Sequence, residues 1–153
     1  MLGEKDMSEE KSERLTLPKF GYGCWQLGSK GKDDYWGLEY TDELADQLIP
    51  LAISNNITYM DTAEGYNNGD SERQLSKSLG KLTKQKTANV IIGTKILPNN
   101  AGDVRKTVDG MLERLQVSCL DLIMIHWPSK TLHFIVSRSS NSNNISSSCS
   151  LLY

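Results

Sequence analysis

The sequence predicts an α/β chain of about four strand–helix units on a parallel sheet, forming either a small open sheet or about half of a closed (β/α)8 barrel. Three observations predict it. Apolar, β-favouring runs alternate with stretches of helical spacing. Their starts, near residues 20, 57, 90 and 120, lie 30–37 residues apart, the size of a strand–helix–strand unit. A complete eight-unit barrel needs about 250 residues, against 153 here.

The strands are expected at residues 20–25 (FGYGCW), 57–60 (ITYM), 90–92 (VII, running into Gly93-Thr94-Lys95) and 120–125 (LDLIMI). The first helix opens at Thr41, whose hydroxyl suits an N-cap, with Asp42 and Glu43 in the turn where the helix dipole favours acids. Leu44, Leu48, Leu51 and Ala52 follow the i, i+4, i+7, i+8 pattern of a core-facing stripe. Pro50 is expected to kink or break this helix, and Asn55 or Asn56 to stop it in a left-handed conformation. A second helix starts near Ser71, carries Leu75 and Leu79 on one face and ends at Gly80. A third presents Val104, Val108, Met111, Leu112 and Leu115 as one stripe.

The two ends read differently. Residues 1–15 are polar and mixed in charge, a mobile lead without the apolar segment of a secretory signal. Residues 129–153 contain SRSSNSNNISSSCS, too poor in apolar surface to offset its ordering entropy, so a disordered tail is expected. The organised part is then residues 16–128.

Composition removes several functional classes. Seventeen Lys and Arg against nineteen Asp and Glu leave a net charge of −2, which gives no basic field for nucleic acid or an acidic membrane. No apolar run approaches the 18 or so residues of a membrane span. Cys24, Cys119 and Cys149 are odd in number and widely spaced, which argues against a disulfide scaffold or a zinc module and for a cytoplasmic protein with no metal. Two nucleotide-loop patterns nearly appear. Gly21-Tyr22-Gly23-Cys24-Trp25-Gln26 has Gln where a dinucleotide-binding loop needs its third glycine, and no helix follows it. Gly23-x4-Gly28-Ser29-Lys30 inverts the Lys-Ser order of a phosphate loop.

The informative residues are polar ones at the ends of apolar strands. Asp61 closes ITYMD, Lys95 closes VIIGTK, His126 closes DLIMIH, and Tyr66 follows Asp61 by five residues. Singly, each has an ordinary reading as a turn cap, a solvated amine, a core imidazole or a loop aromatic. Jointly they obey one rule, because the carboxyl ends of parallel strands share the face on which sites form. They also suit one reaction, carbonyl reduction by an external hydride. The alkoxide produced needs a proton from a nearby acid. A phenol can serve when an ammonium stabilises its anion, a carboxylate holds the ammonium, and a neutral imidazole donates to the carbonyl oxygen.

FGYGCWQLG, YMDTAEGYNNGDSE, VIIGTK and LDLIMIHWP resemble, in this order and at similar spacing, the aldo-keto reductases; the resemblance runs from about Pro18 to Pro128. It implies the N-terminal half of a (β/α)8 TIM barrel that reduces aldehydes or ketones with NADPH. It carries Asp61, Tyr66, Lys95 and His126 onto the catalytic tetrad, with Tyr66 as proton donor. It carries Gly23, Cys24, Trp25 and Asp61 onto the border of the nicotinamide. The residues after Pro128 match no further strands of that family, so a chain inactive alone, without the cofactor's phosphate and adenine site, is the expectation. Unpaired sheet edges would then favour self-association. The alternative is a binding or regulatory role, since potassium-channel β subunits use the same scaffold.

Overall fold

A computed structural model describes residues 15–29 and 40–128. Residues 1–14 of the proposed lead (1–15), the whole proposed tail (129–153) and residues 30–39 lie outside the described residues. Four strands, β1 (Gly21–Gly23), β2 (Tyr59–Asp61), β3 (Ile91–Ile96) and β4 (Leu122–Ile125), form one sheet. All three pairings are parallel and the order is β1-β2-β3-β4. An open doubly wound sheet reverses its strand order at a switch point, whereas a barrel adds each strand beside the last. The sequential order therefore resolves the alternative left open by periodicity: this is a partial (β/α)8 barrel.

The helices are α1 (Asp42–Ser54), α2 (Asp70–Gly80), a single turn α3 (Lys84–Thr87) and α4 (Val104–Leu115), with 3-10 turns at Tyr66–Gly69 and Pro98–Asp103. Thr41 caps α1, its hydroxyl accepting from the Leu44 N–H at 3.2 Å, and Asn56 beyond its end is left-handed at φ 61°. The helix runs through Pro50 without a break, and the carbonyl that loses its usual partner is that of Asp46. One expectation for α1 needs correction. Its buried face is Ala45, Ile49 and Ala52, while Leu51 is 57% exposed and Leu44 36%. Ala45, Ile49 and Ala52 repeat the same i, i+4, i+7 spacing as the leucines, rotated by one residue, with Ile49 fully buried at its centre.

Between sheet and helices the core gathers Cys24, Leu27, Met60, Leu75, Ile92, Ile96, Met111, Leu115 and Leu120. In α4, Met111 and Leu115 are buried and Val108 and Leu112 pack against them, but Val104 is 48% exposed at the helix start. Cys24 is a free, buried thiol. No helix among the described residues is long and apolar enough to cross a membrane.

Register decides what points away from the helices. Gly23, Asp61, Gly93 and Leu122 share one row, and Lys95 pairs with Met124 two residues further on. Side chains alternate along a strand, so Asp61, Lys95 and, beyond β4, His126 share the inner face and its carboxyl-terminal rim.

Candidate active site

Asp61, Tyr66, Lys95 and His126, predicted from separate segments, meet at that rim. Lys95 Nζ lies 2.8 Å from Asp61 Oδ1, donates to Tyr66 Oη at 3.1 Å and to the Thr62 carbonyl at 2.8 Å. It also stands 4.7 Å from the centre of the Tyr66 ring. The Tyr66 and His126 rings meet edge-on, with centroids 5.2 Å apart and planes at 80°. The His126 N–H donates to the Ile96 carbonyl at 2.9 Å, which extends the β3–β4 ladder and fixes the ring's origin.

The environment favours the neutral form of His126. Burial lowers its pKa first and the Lys95 charge lowers it further, against the Asp61 and Glu64 carboxylates. Its Nδ1 is buried with no hydrogen-bond partner among the described residues. Such a group costs about 1–3 kcal/mol when left unmet, and exceptions of this kind are typical of reactive sites.

Sequence reading missed the supports beneath these groups. Tyr59, two residues before Asp61 on β2, lies across its neighbours: a Cβ added at Gly21 would stand 2.5 Å from its ring and one at Gly93 2.4 Å from its hydroxyl. The hydroxyl donates to Asp61 Oδ1 at 3.4 Å. Burial and the adjacent Asp61 carboxylate push the Tyr59 pKa up to about 12, so it remains a donor. The loop bearing Tyr66 turns through three left-handed residues, Asn67, Asn68 and Gly69, at φ 50°, 57° and 82°. Asn and Gly tolerate that conformation best, so the NNG triplet was the readable sign. Asn67 Nδ2 donates to the Leu27 carbonyl at 2.7 Å, tying this loop to the turn after β1. Ser71 Oγ donates to the Cys24 carbonyl at 2.6 Å and lies 2.9 Å from Thr62 Oγ1.

Below the site, Glu72 is fully buried, accepting from Thr94 Oγ1 at 2.6 Å and Arg114 Nε at 2.5 Å. Burial raises its pKa even against these partners. No sequence spacing flags this set, because its members lie 22 and 42 positions apart.

The donor set can be tested against a nicotinamide. Among the described residues nothing lies within 4 Å of a Cβ added at Gly23, and Trp25 beside it is 43% exposed. Cys24 differs: its side chain is fully buried, its Sγ donates to the Tyr22 carbonyl at 3.6 Å, and burial pushes its pKa up. It offers the rim only backbone. Gly23, Trp25 and Asp61 thus suit a flat ring lying at the mouth. Among the described residues no three His, Cys, Asp or Glu side chains gather as a metal site.

This architecture is a partial (β/α)8 barrel with polar side chains gathered at one rim, and comparison with known proteins names the family. The model of the aldo/keto reductase family matches residues 19–149, and the chain belongs to that family. It is 29% identical over 135 residues to the NADH-specific methylglyoxal reductase of Escherichia coli, covering 75% of this chain and 40% of that protein. It is 33% identical over 130 residues to a Schizosaccharomyces pombe protein described as a candidate β subunit of a voltage-gated potassium channel, covering 77% and 35%. An aldo/keto reductase from Klebsiella pneumoniae, crystallised with NADP and acetate, shares the fold at 23% identity and a TM-score of 0.61, over 75% of this chain and 37% of that one. The chain spans between 33% and 40% of the length of the first curated relatives it matches.

Proposed function

We propose that this chain carries the carbonyl-reducing half of an aldo-keto reductase site, with NADPH as the hydride source and Tyr66 as proton donor. The observation that carries the reading is Lys95 Nζ between Asp61 Oδ1 and Tyr66 Oη, at 2.8 and 3.1 Å.

When bound, the cofactor supplies a hydride to the carbonyl carbon of an aldehyde or ketone. As the C=O bond becomes a C–O single bond, its oxygen takes the proton from Tyr66 Oη, and the product is the alcohol. The Lys95 ammonium stabilises the phenolate left behind, and Asp61 fixes that ammonium. Neutral His126 donates one ring N–H to the same oxygen and orients it. Gly23, Trp25 and Asp61 would border the nicotinamide. No described residue is assigned to the cofactor's phosphates or adenine. In addition, β1 and β4 are edge strands among the described residues, so the inner face is open on two sides. We therefore infer that the 153 residues alone give no turnover.

The experiment joins residues 15–128 to the part of the Klebsiella pneumoniae aldo/keto reductase crystallised with NADP that lies beyond the matched segment, and follows NADPH oxidation with a set of simple aldehydes. Turnover by the joined protein and none by the 153-residue chain is the expected result. A joined protein that folds cooperatively and fails to reduce any aldehyde offered would refute the reading.

The relative described as a candidate channel β subunit favours a second reading, a binding role on the same scaffold. It predicts a joined protein that binds NADPH without turning over, and this experiment separates the two.

A further inference from the structure

The loop that carries Tyr66 leaves the sheet at Asp61, and nothing in the strand ladder fixes a phenol five residues later. One side chain between them makes an unusual set of contacts. Glu64 Oε1 accepts from the Leu97 backbone N–H at 2.6 Å and from Asn100 Nδ2 at 3.1 Å. Its own N–H donates to the Lys95 carbonyl at 3.3 Å. One residue therefore joins the segment bearing Asp61 and Tyr66 to the segment bearing Lys95. The two run close: a Cβ added at Gly65 would stand 3.0 Å from Leu97 Cδ2. The far side of the join is itself anchored, because Thr107 Oγ1 on α4 donates to the Asn100 carbonyl at 3.1 Å.

We propose that the Glu64 carboxylate is a positioning group, a clasp across the β2 and β3 loops that holds Tyr66 edge-on to His126 and within reach of Lys95. The inference deepens the reductase reading and rests on it for its meaning, since a clasp of this kind matters only if the phenol must meet a substrate oxygen. Both groups donating to Oε1 are neutral, a backbone amide and a side-chain amide. The clasp needs an acceptor of the right reach and no negative charge. Gln supplies that acceptor; Ala does not.

The test uses the full 153-residue chain without cofactor. Nuclear Overhauser cross-peaks are recorded between the ring protons of Tyr66 and His126, whose centroids lie 5.2 Å apart. The cross-peaks are expected in the unmodified chain and in Glu64→Gln, and are expected to be lost in Glu64→Ala. Should Glu64→Ala fail to fold, Asn100→Ala serves instead: it removes one donor and leaves the carboxylate, and the cross-peaks must weaken. Their absence from the unmodified chain, their survival in Glu64→Ala, equal loss in Glu64→Gln, or no change in Asn100→Ala would each overturn the clasp. Because geometry is read without turnover, an inactive joined protein with intact cross-peaks would instead count against the reductase reading alone.

Discussion

Lys95 Nζ lies 2.8 Å from Asp61 Oδ1 although the two residues sit on different strands, Asp61 paired with Gly93 and Lys95 one inward-facing step beyond it. Lys95 is 13% exposed and Asp61 33%, so the pair is partly shielded from water. Lys95→Met leaves the carboxylate without its cation. The expected outcome in urea denaturation is a loss of about 1–2 kcal/mol, accompanied by loss of reduction in the joined protein. Unchanged stability and turnover would remove Lys95 from the account.

Tyr59 occupies the space that side chains at positions 21 and 93 would fill. Gly93→Ala puts a methyl carbon 2.4 Å from the Tyr59 hydroxyl, so the ring must move from beneath Asp61. Overpacking of this type costs about 1–3 kcal/mol. A loss of that size in unfolding free energy is expected in urea denaturation, together with a weaker Tyr59–Asp61 contact. A variant as stable as its parent would mean that the ring has room elsewhere.

His126 makes stability depend on pH, with a definite sign. Its folded pKa lies below the ordinary value of 6.5, from burial first and the Lys95 charge second. Below that ordinary value the unfolded chain takes up a proton that the folded chain does not yet accept. The contribution is therefore fully present above pH 6.5 and declines as pH falls from there toward the lowered folded value. His126→Gln should flatten this part of the stability profile. Glu64→Gln, by removing one of the charges that favour the imidazolium, should move the His126 titration to lower pH in an NMR titration.

Glu72 and Arg114 bind α2 to α4. Arg114→Met strands a carboxylate with no solvent exposure, and breaking such a pair typically costs about 3–5 kcal/mol. The double variant Glu72→Gln, Arg114→Met should recover part of that loss, because no buried charge remains. Additive single and double effects would contradict the pairing.

Much of this was legible from sequence. Asp61, Lys95 and His126 each end an apolar run, and parallel strands bring such ends to one rim; Tyr66 follows Asp61 by one short loop. Thr41 and Asn56 declared the ends of α1 through local backbone preference. The rotation of α1 was not legible, because Ala45, Ile49 and Ala52 share the spacing of Leu44, Leu48 and Leu51, and periodicity alone does not choose between two such stripes. Glu72 was unreadable for a different reason. A lone acid in an amphipathic helix is normally solvated, and only tertiary contacts with Thr94 and Arg114 make its burial tolerable. Glu64 and Tyr59 likewise act across strands, at positions that no single-segment pattern marks.

The most direct measurement is the steady-state rate of aldehyde reduction by the joined protein, compared with the same protein carrying Tyr66→Phe. Removing the proton donor should lower kcat by about 10²–10⁴-fold while cofactor binding persists. An undiminished rate in Tyr66→Phe would contradict the role assigned to this phenol, and with it the chemistry built on the Asp61–Lys95 pair.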